Sequence, residues 1–318
     1  MISLSLDSPI VGRLKTKAAM LASGDPAHQE IRPVLIVGGG GIRGAFSMGV
    51  LAGLEQTGLS SAFDTVISVS AGAPNCAYFL ARQARLAVSV YTDDLTDNRF
   101  SNPWRLNKIV DIDYLVRVLR NVKPLDVGAV CASRSDFLTA VTSLAGEGSF
   151  QDVKTFPDIF DPIKASMALP LLYNRPVSLN GVPYLDGAVT LPLPIRMALY
   201  LASTDILVLV NYPIDQPLGK TPLLERLMSH FYFRHFPRAF AEAFLKRRKI
   251  YDQNMAILMA SGGKLRGARG TVNVGIIAPP REAMIGRLTK SRTKVHSLAL
   301  TGAQTALDIF APGKQAEP

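Results

Sequence analysis

The stretch Pro33-Val-Leu-Ile-Val37, followed by Gly38-Gly39-Gly40-Gly41-Ile42-Arg43-Gly44, decides how the rest of the chain is read. A short apolar run bounded by glycines reads as a strand buried on both faces, the kind that parallel sheets use. Residues 44–55 then carry apolar side chains at helical spacing, so the order is strand, glycine turn, helix. Thr65-Val-Ile-Ser-Val69 is a second such run, and Ala73, Ala77, Leu80, Ala81 and Ala84 fall at helical intervals within residues 71–85. This βαβα order predicts an α/β protein with a mainly parallel central sheet covered by helices, a three-layer α/β/α arrangement.

Working outward, residues 1–30 lack sustained periodicity and read as a lead-in with at most a short helix. Residues 92–110 read as an irregular segment whose length suggests that it covers something, ahead of a helix from about Asp111 to Leu119. Further on, Phe137 to Leu144 reads as a strand, Pro157 to Ala168 as a helix, Pro176 to Tyr184 as a hairpin turning at Asn180-Gly181, and Asp205 to Asn211 as a buried strand. Helices dominate from Pro222, with one strand at Thr271 to Ile277 and a last helix from Thr293 to Phe310. The expected organisation is a lead-in over 1–31, a catalytic core over 32–212 and a basic, mainly helical extension over 213–318 packed on that core.

The chain has 318 residues, 48% of them hydrophobic and 19% charged, which excludes disorder, collagen and coiled coil for most of its length. No uncharged apolar stretch approaches the ~18 residues that cross a bilayer. The opening residues carry Asp7, Arg13, Lys15 and Lys17 and show no signal-peptide pattern, so export by that route is not expected. Two cysteines, Cys76 and Cys131, make neither a disulfide framework nor a zinc set of about four ligands, and a cytoplasmic protein that needs no metal or cofactor is the expectation. Residues 1–218 hold 18 Lys and Arg against 19 Asp and Glu, whereas residues 219–318 hold 17 against 6. The plain reading of that basic third is a solvated face, and the sharper one is contact with an anionic membrane surface at its inner face. Nucleic acid is not expected, because no helix-turn-helix, zinc-finger or RNA-binding signature accompanies the charge.

Three motifs carry chemistry together. In the glycine run, absent side chains let backbone N–H groups point at an anion near a helix N-terminus. Ser68-Val69-Ser70-Ala71-Gly72 lies at the next strand-to-helix turn, the setting of a nucleophile elbow, which makes Ser70 the candidate nucleophile. Tyr184-Leu185-Asp186-Gly187-Ala188 follows the hairpin and makes Asp186 the candidate base. Successive strand-to-helix turns of a parallel sheet are where ligands bind.

With these residues in this order, residues 32 to 212 resemble the patatin-like phospholipases, in a bacterial branch of esterase-like members. The family's Gly-Gly-Gly-x-Arg-Gly falls on Gly39 to Gly44, its Gly-x-Ser-x-Gly on Ser68 to Gly72, and its Asp-Gly-Gly or Asp-Gly-Ala on Asp186 to Ala188. Ala165-Ser-Met-Ala-Leu-Pro170 ahead of Pro176-Val177 is similar to the family's segment before its hairpin. One position departs, since Ser68 stands where the elbow has its first glycine. The resemblance implies a lipid or fatty-acyl ester as substrate. It also implies a Ser70–Asp186 dyad without histidine, in which Asp186 takes the Ser70 proton and an acyl-enzyme is then hydrolysed. The implied oxyanion donors are the N–H groups of Gly40 and Gly41, aided by Gly39 or Arg43, with Gly44, Ser68, Gly72 and Gly187 as supporting positions. A carboxyl group with a pKa near 4 must then work from a partly desolvated site.

Two other readings stand beside this one. A protein on the same fold could bind a lipid or partner without catalysis. Gly39-x-Gly41-x-x-Gly44 also satisfies a dinucleotide-binding pattern, but Asp64 precedes the second strand and the end of that strand carries Ser70 where a ribose-binding acid belongs. His28, His230, His235 and His296 lie outside all three motifs. In the C-terminal third, Phe240, Phe244, Tyr251, Met255 and Leu258 form one helical stripe, with Lys246-Arg-Arg-Lys249 across the remainder. That pattern reads as a buried helix with a basic rim, or as a membrane-docking helix.

Overall fold

The computed structural model describes residues 4, 5, 7–105 and 108–316. Its strands in chain order are β1 (Pro33–Val37), β2 (Thr65–Ser68), β3 (Asp136–Ser143), β4 (Gly148–Asp152), β5 (Val177–Leu179), β6 (Val182–Asp186), β7 (Asp205–Leu209), β8 (Lys264–Gly267) and β9 (Gly270–Ile277). They make one nine-stranded sheet in the order β5-β6-β3-β2-β1-β7-β9-β8, with β4 also paired to β3. Pairing is parallel from β3 through β2, β1 and β7 to β9, and antiparallel for β4, β5, β6 and β8.

The helices are α1 (Pro9–Ser23), α2 (Gly44–Gln56), α3 (Gly72–Leu80), α4 (Ala84–Ser89), α5 (Ile112–Arg117), α6 (Val127–Ala132), α7 (Phe160–Met167), α8 (Ile195–Tyr200), α9 (Leu223–Tyr232), α10 (Arg238–Ala260) and α11 (Arg292–Phe310). Strand side chains alternate between faces, and the core divides accordingly. Leu35, Val37 and Leu207 pack with Ile10 and Leu14 of α1, Phe46 of α2 and Leu298 of α11. Val34, Ile36 and Val208 pack with Ile195 of α8 and Met255 and Leu258 of α10. The expected three-layer α/β/α fold is therefore present, and each fully buried Leu, Ile or Phe contributes roughly 1.5–3 kcal/mol to it.

Helices α2 and α11 touch backbone to backbone. A Cβ on Gly49 would sit 1.9 Å from the Ala299 carbonyl oxygen, and one on Gly302 would sit 2.2 Å from that of Phe46. The last helix is thereby seated on the helix that the glycine run starts.

Some elements differ from expectation. The lead-in holds the 15-residue α1, whose buried face is Ile10, Val11, Leu14 and Lys17. The Lys17 ammonium donates to the carbonyls of His28 (2.6 Å) and Ile31 (2.7 Å) and to Asp64 (3.0 Å), which satisfies it inside the protein. The helix expected over 71–85 breaks after Leu80, where Arg82 turns left-handed (φ 56°), and α4 resumes the pattern. The hairpin turns at Asn180-Gly181, both with positive φ (50° and 82°), as a two-residue type I′ turn requires. The basic run is not one outward face. Lys246 and Lys249 are exposed and Arg248 is half-buried, but Arg247 is buried and pairs with Glu225, because helical spacing puts it on the same stripe as Phe244 and Tyr251.

Candidate active site

Strands β1 and β2 are parallel neighbours with Val37 opposite Ser68, so their two strand-to-helix turns open on the same edge of the sheet. Ser70 lies in the turn between β2 and α3 with φ 54°, a left-handed conformation that costs a non-glycine residue of order 1–3 kcal/mol. Its N–H donates to Ser166 Oγ at 3.0 Å, which helps hold the turn. Its hydroxyl donates to Asp186 Oδ2 at 2.7 Å.

Asp186 ends β6, which the hairpin delivers to β3 with Val141 opposite Asp186. The carboxyl group is fully buried, and Oδ1 accepts the Ala188 N–H at 2.8 Å. Burial pushes its pKa up to about 7, against the opposing pull of the Ala188 N–H, the Ser70 hydroxyl and the Arg247 charge. The Thr142 hydroxyl donates to the Asp186 carbonyl at 3.0 Å, which ties the residue to β3.

Around the glycine run, the Gly38 N–H donates to Leu209 O (2.9 Å) and the Arg43 N–H to Gly40 O (3.3 Å). Among the described residues, the N–H groups of Gly39, Gly40 and Gly41 have no protein acceptor. Gly39 faces Ser70 so closely that a Cβ there would lie 2.9 Å from Ser70 Cβ, and Gly41 takes φ 61°. Gly44 opens α2, Gly72 opens α3 against Val37, and Gly187 follows Asp186 against Ala140. Arg43 stands apart from the other expected oxyanion residues. Its N–H is engaged, its Nε donates to Ile285 O at 2.6 Å, and its guanidinium lies 5.1 Å from the Tyr212 ring centroid. Ser68 fits without strain because it is still on β2, where its buried hydroxyl donates to Thr139 Oγ1 at 2.9 Å.

Two asparagines that the sequence reading did not single out support these turns. Asn211 Nδ2 donates to Gly38 O at 2.9 Å and its Oδ1 accepts the Ser47 N–H at 3.1 Å. Asn75 Nδ2 donates to Gly44 O at 2.9 Å, and its Oδ1 accepts the Tyr91 hydroxyl at 2.9 Å. The one signal for either is a polar residue amid buried apolar neighbours. Ser166 lay inside the quoted Ala165 to Pro170 segment, but only the structure shows its bond to Ser70.

Ser70, Asp186 and Gly39 to Gly41 border a cavity of about 160 Å³ that is open to solvent. One wall is apolar and comes largely from the irregular segment and the helix after it, including Leu95, Phe100, Ile112, Leu115 and Leu119, with Val90 just ahead of the segment. Of the segment expected to cover something, Leu95, Phe100 and Val110 line this cavity, and residues 106 and 107 lie outside the described residues. None of the four histidines lines it. Among the described residues, no group of three or more His, Cys, Asp or Glu side chains could hold a metal ion. Asp64, the nearest acid to a dinucleotide pattern, is bonded to Lys17 and Arg134 at the opposite end of β2. The geometry offers a hydroxyl bonded to a buried carboxyl, three free N–H groups beside it and an apolar slot.

The Escherichia coli K12 protein described as "Uncharacterized protein YjjU" is 29% identical over 200 residues, or 58% of this chain and 53% of that protein. The chain thus spans about half the length of the curated relative it matches. The crystal structure of VipD from Legionella pneumophila aligns over 87% of this chain and 67% of that one, with a TM-score of 0.45 and 13% identity, a likeness too distant to carry an argument. Residues 35–199 match the family described as patatin-like phospholipase, a stretch that contains both turns, the hairpin, Ser70 and Asp186. The chain belongs to the patatin-like phospholipase family.

Proposed function

We propose that this protein is a lipid acyl hydrolase that cleaves carboxylic esters with Ser70 as nucleophile and Asp186 as its base. The observation that carries the reading is the 2.7 Å bond from the Ser70 hydroxyl to a buried carboxyl group at the edge of an apolar cavity. As Ser70 Oγ attacks the ester carbonyl, its proton passes to Asp186 Oδ2. The oxyanion takes hydrogen bonds from the N–H groups of Gly39, Gly40 and Gly41, each worth about 3 to 4 kcal/mol by comparison with other serine hydrolases. Collapse expels the alcohol with the proton from Asp186, and water, deprotonated by the same carboxylate, releases the acid from Ser70. A pKa of about 7 makes Asp186 a stronger base at neutral pH than an exposed aspartate. No step requires a histidine, metal or cofactor.

A fluorophosphonate probe should label Ser70, and Ser70→Ala should abolish labelling. Asp186→Asn should retain the fold and lose at least ~100-fold in turnover, because an amide cannot accept the proton. Labelling that survives in Ser70→Ala, or a histidine variant as inactive as Asp186→Asn, would overturn the dyad.

The proposal extends to contact with an anionic membrane surface through α9. Leu223, Leu227 and Phe231 recur every four residues on one side of this helix and are 69%, 52% and 69% exposed, while Ser229 on the other side is buried. Exposed Arg226 and Arg234 flank that apolar strip in sequence. An apolar strip bordered by cations matches the chemistry of an anionic bilayer interface.

A further inference from the structure

The cavity at Ser70 has a second wall of different chemistry. It is built by Tyr212, Arg247, Arg248, Tyr251 and Arg287, all outside residues 35–199. The Tyr212 and Tyr251 rings meet edge to face at 5.8 Å, and the Arg287 guanidinium lies 5.8 Å from the Tyr212 centroid. Arg287 also touches the glycine run through its carbonyl, which accepts the Ile42 N–H at 3.5 Å. The polar wall is therefore anchored beside the expected oxyanion donors.

This wall has donors without acceptors. Tyr251 is buried, and its hydroxyl has no hydrogen-bond partner. Arg248 spends Nη1 on the Lys220 carbonyl at 2.8 Å, but its Nε is buried and unpartnered. Among the described residues, neither Arg248 nor Arg287 has a carboxylate within salt-bridge reach. The nearby acids are already engaged: Glu225 holds Arg247, and Asp252 accepts the N–H groups of Leu218 (2.8 Å) and Gly219 (2.9 Å). Buried donors left unsatisfied are costly, and guanidinium and phenol groups around one space call for an oxyanion. Nothing on the wall suits a cation. Its carboxylates are taken, and Arg43 and Arg287 both lie against Tyr212.

We propose that Arg248, Arg287 and Tyr251 form a subsite for a phosphate group on the alcohol side of the scissile ester, and that it favours headgroups carrying no ammonium. This rests on the ester-hydrolase reading, in which the acyl chain takes the apolar wall and the alcohol is left to the polar one. A phosphate monoester, with about −1.5 to −2 charges and three acceptor oxygens, offers acceptors to the guanidinium groups of Arg248 and Arg287, and to the buried Tyr251 hydroxyl once that side chain turns toward the cavity. A choline headgroup brings a cation next to unneutralised arginines.

The test uses the Ser70→Ala protein, so that binding is read without turnover. Calorimetric titration below the micelle threshold compares three ligands of equal acyl length: lysophosphatidate, lysophosphatidylcholine and monoacylglycerol. Lysophosphatidate should bind at least ~10-fold more tightly than either, as expected for charge-assisted bonds to a phosphate. Adding Arg287→Gln, or Arg248→Gln with Arg287→Gln, should reduce that ratio to below ~3-fold while the melting temperature confirms the fold. Arg287→Gln is the safer variant because that side chain makes no backbone bond. Equal affinities for the three ligands, or a preference that survives in both variants, would overturn the subsite. Glycerol 3-phosphate and inorganic phosphate serve as competitors: displacement by either shows that the wall takes the phosphate alone, and displacement by neither shows that the acyl chain is needed. If the protein with Ser70 intact cleaves none of the three ligands although the preference is present, the hydrolase reading fails and the subsite stands.

Discussion

At Asp186 a single physical cause, burial without a cationic contact partner, sets two pH responses of opposite sign. Folding raises the pKa of this group from 3.8 to about 7. The folded state thus binds its proton more tightly than the unfolded one, and the stability this provides is lost as pH rises from about 4 to about 7. The proposed base must be ionised to act, so kcat/KM for a soluble ester should climb up to tenfold per unit below about pH 7 and level off above it. Asp186→Asn cannot ionise, and its melting temperature should gain on that of the natural protein from pH 4 to pH 7. Between pH 3 and pH 8 the stability difference should shift in favour of the variant by about 4 kcal/mol, from about three pH units at roughly 1.36 kcal/mol each. A stability difference that did not change with pH would mean that Asp186 is solvated in the folded protein.

At the level of elements, legibility followed how uniform each element's surroundings are. Strands β1, β2 and β7 are buried on both faces, so their positions are apolar apart from Thr65 and Ser68 in β2 and Asp205 in β7, and the runs read directly. Strand β4 is half-buried, as Gly-Ser-Phe-Gln-Asp, and β8 alternates exposed and half-buried residues through Lys264 and Arg266. Neither shows an apolar run. Helix α1 went unread because its buried face includes Lys17, which only the carbonyls of His28 and Ile31 and the carboxylate of Asp64 make tolerable. The turns that hold Ser70 and the glycine run were legible because each needs small residues at fixed places, whereas the wall of arginines comes from segments near residues 212, 248, 251 and 287 that share no local pattern. Helix α9 supports a prediction of its own. Changing Leu223, Leu227 and Phe231 to Ser should cut sedimentation with phosphatidylglycerol vesicles at least ~10-fold and leave thermal melting in place, and binding should also fall as salt rises. Unaltered sedimentation, or equal binding to phosphatidylcholine vesicles, would show that this strip is not a membrane contact.

Taken whole, the molecule does not divide at the limits of the family match. Strand β9 pairs with β7 from Asp205↔Asn273 to Leu209↔Ile277, and α11 lies on α2 with no room for a methyl group between Gly302 and Phe46. A chain cut after residue 212 would expose the edge of β7 together with the apolar surfaces that Val274, Ile276 and Leu298 cover. Such a chain should accumulate as aggregate or melt without a cooperative transition, whereas the full chain should melt in one; a soluble, cooperatively melting 1–212 fragment would show that the core is autonomous. The placement of the cavity walls has a further consequence at the level of the gene. The proposed nucleophile, its proposed base and the glycine turn are encoded within codons 35–199, and the cationic wall is encoded after them. Recombination downstream of the hairpin, or drift confined to the last third, can then rewrite which alcohol is accepted without altering the bond-breaking apparatus, so long as whatever replaces that third still supplies a strand for β7 and a helix for α2.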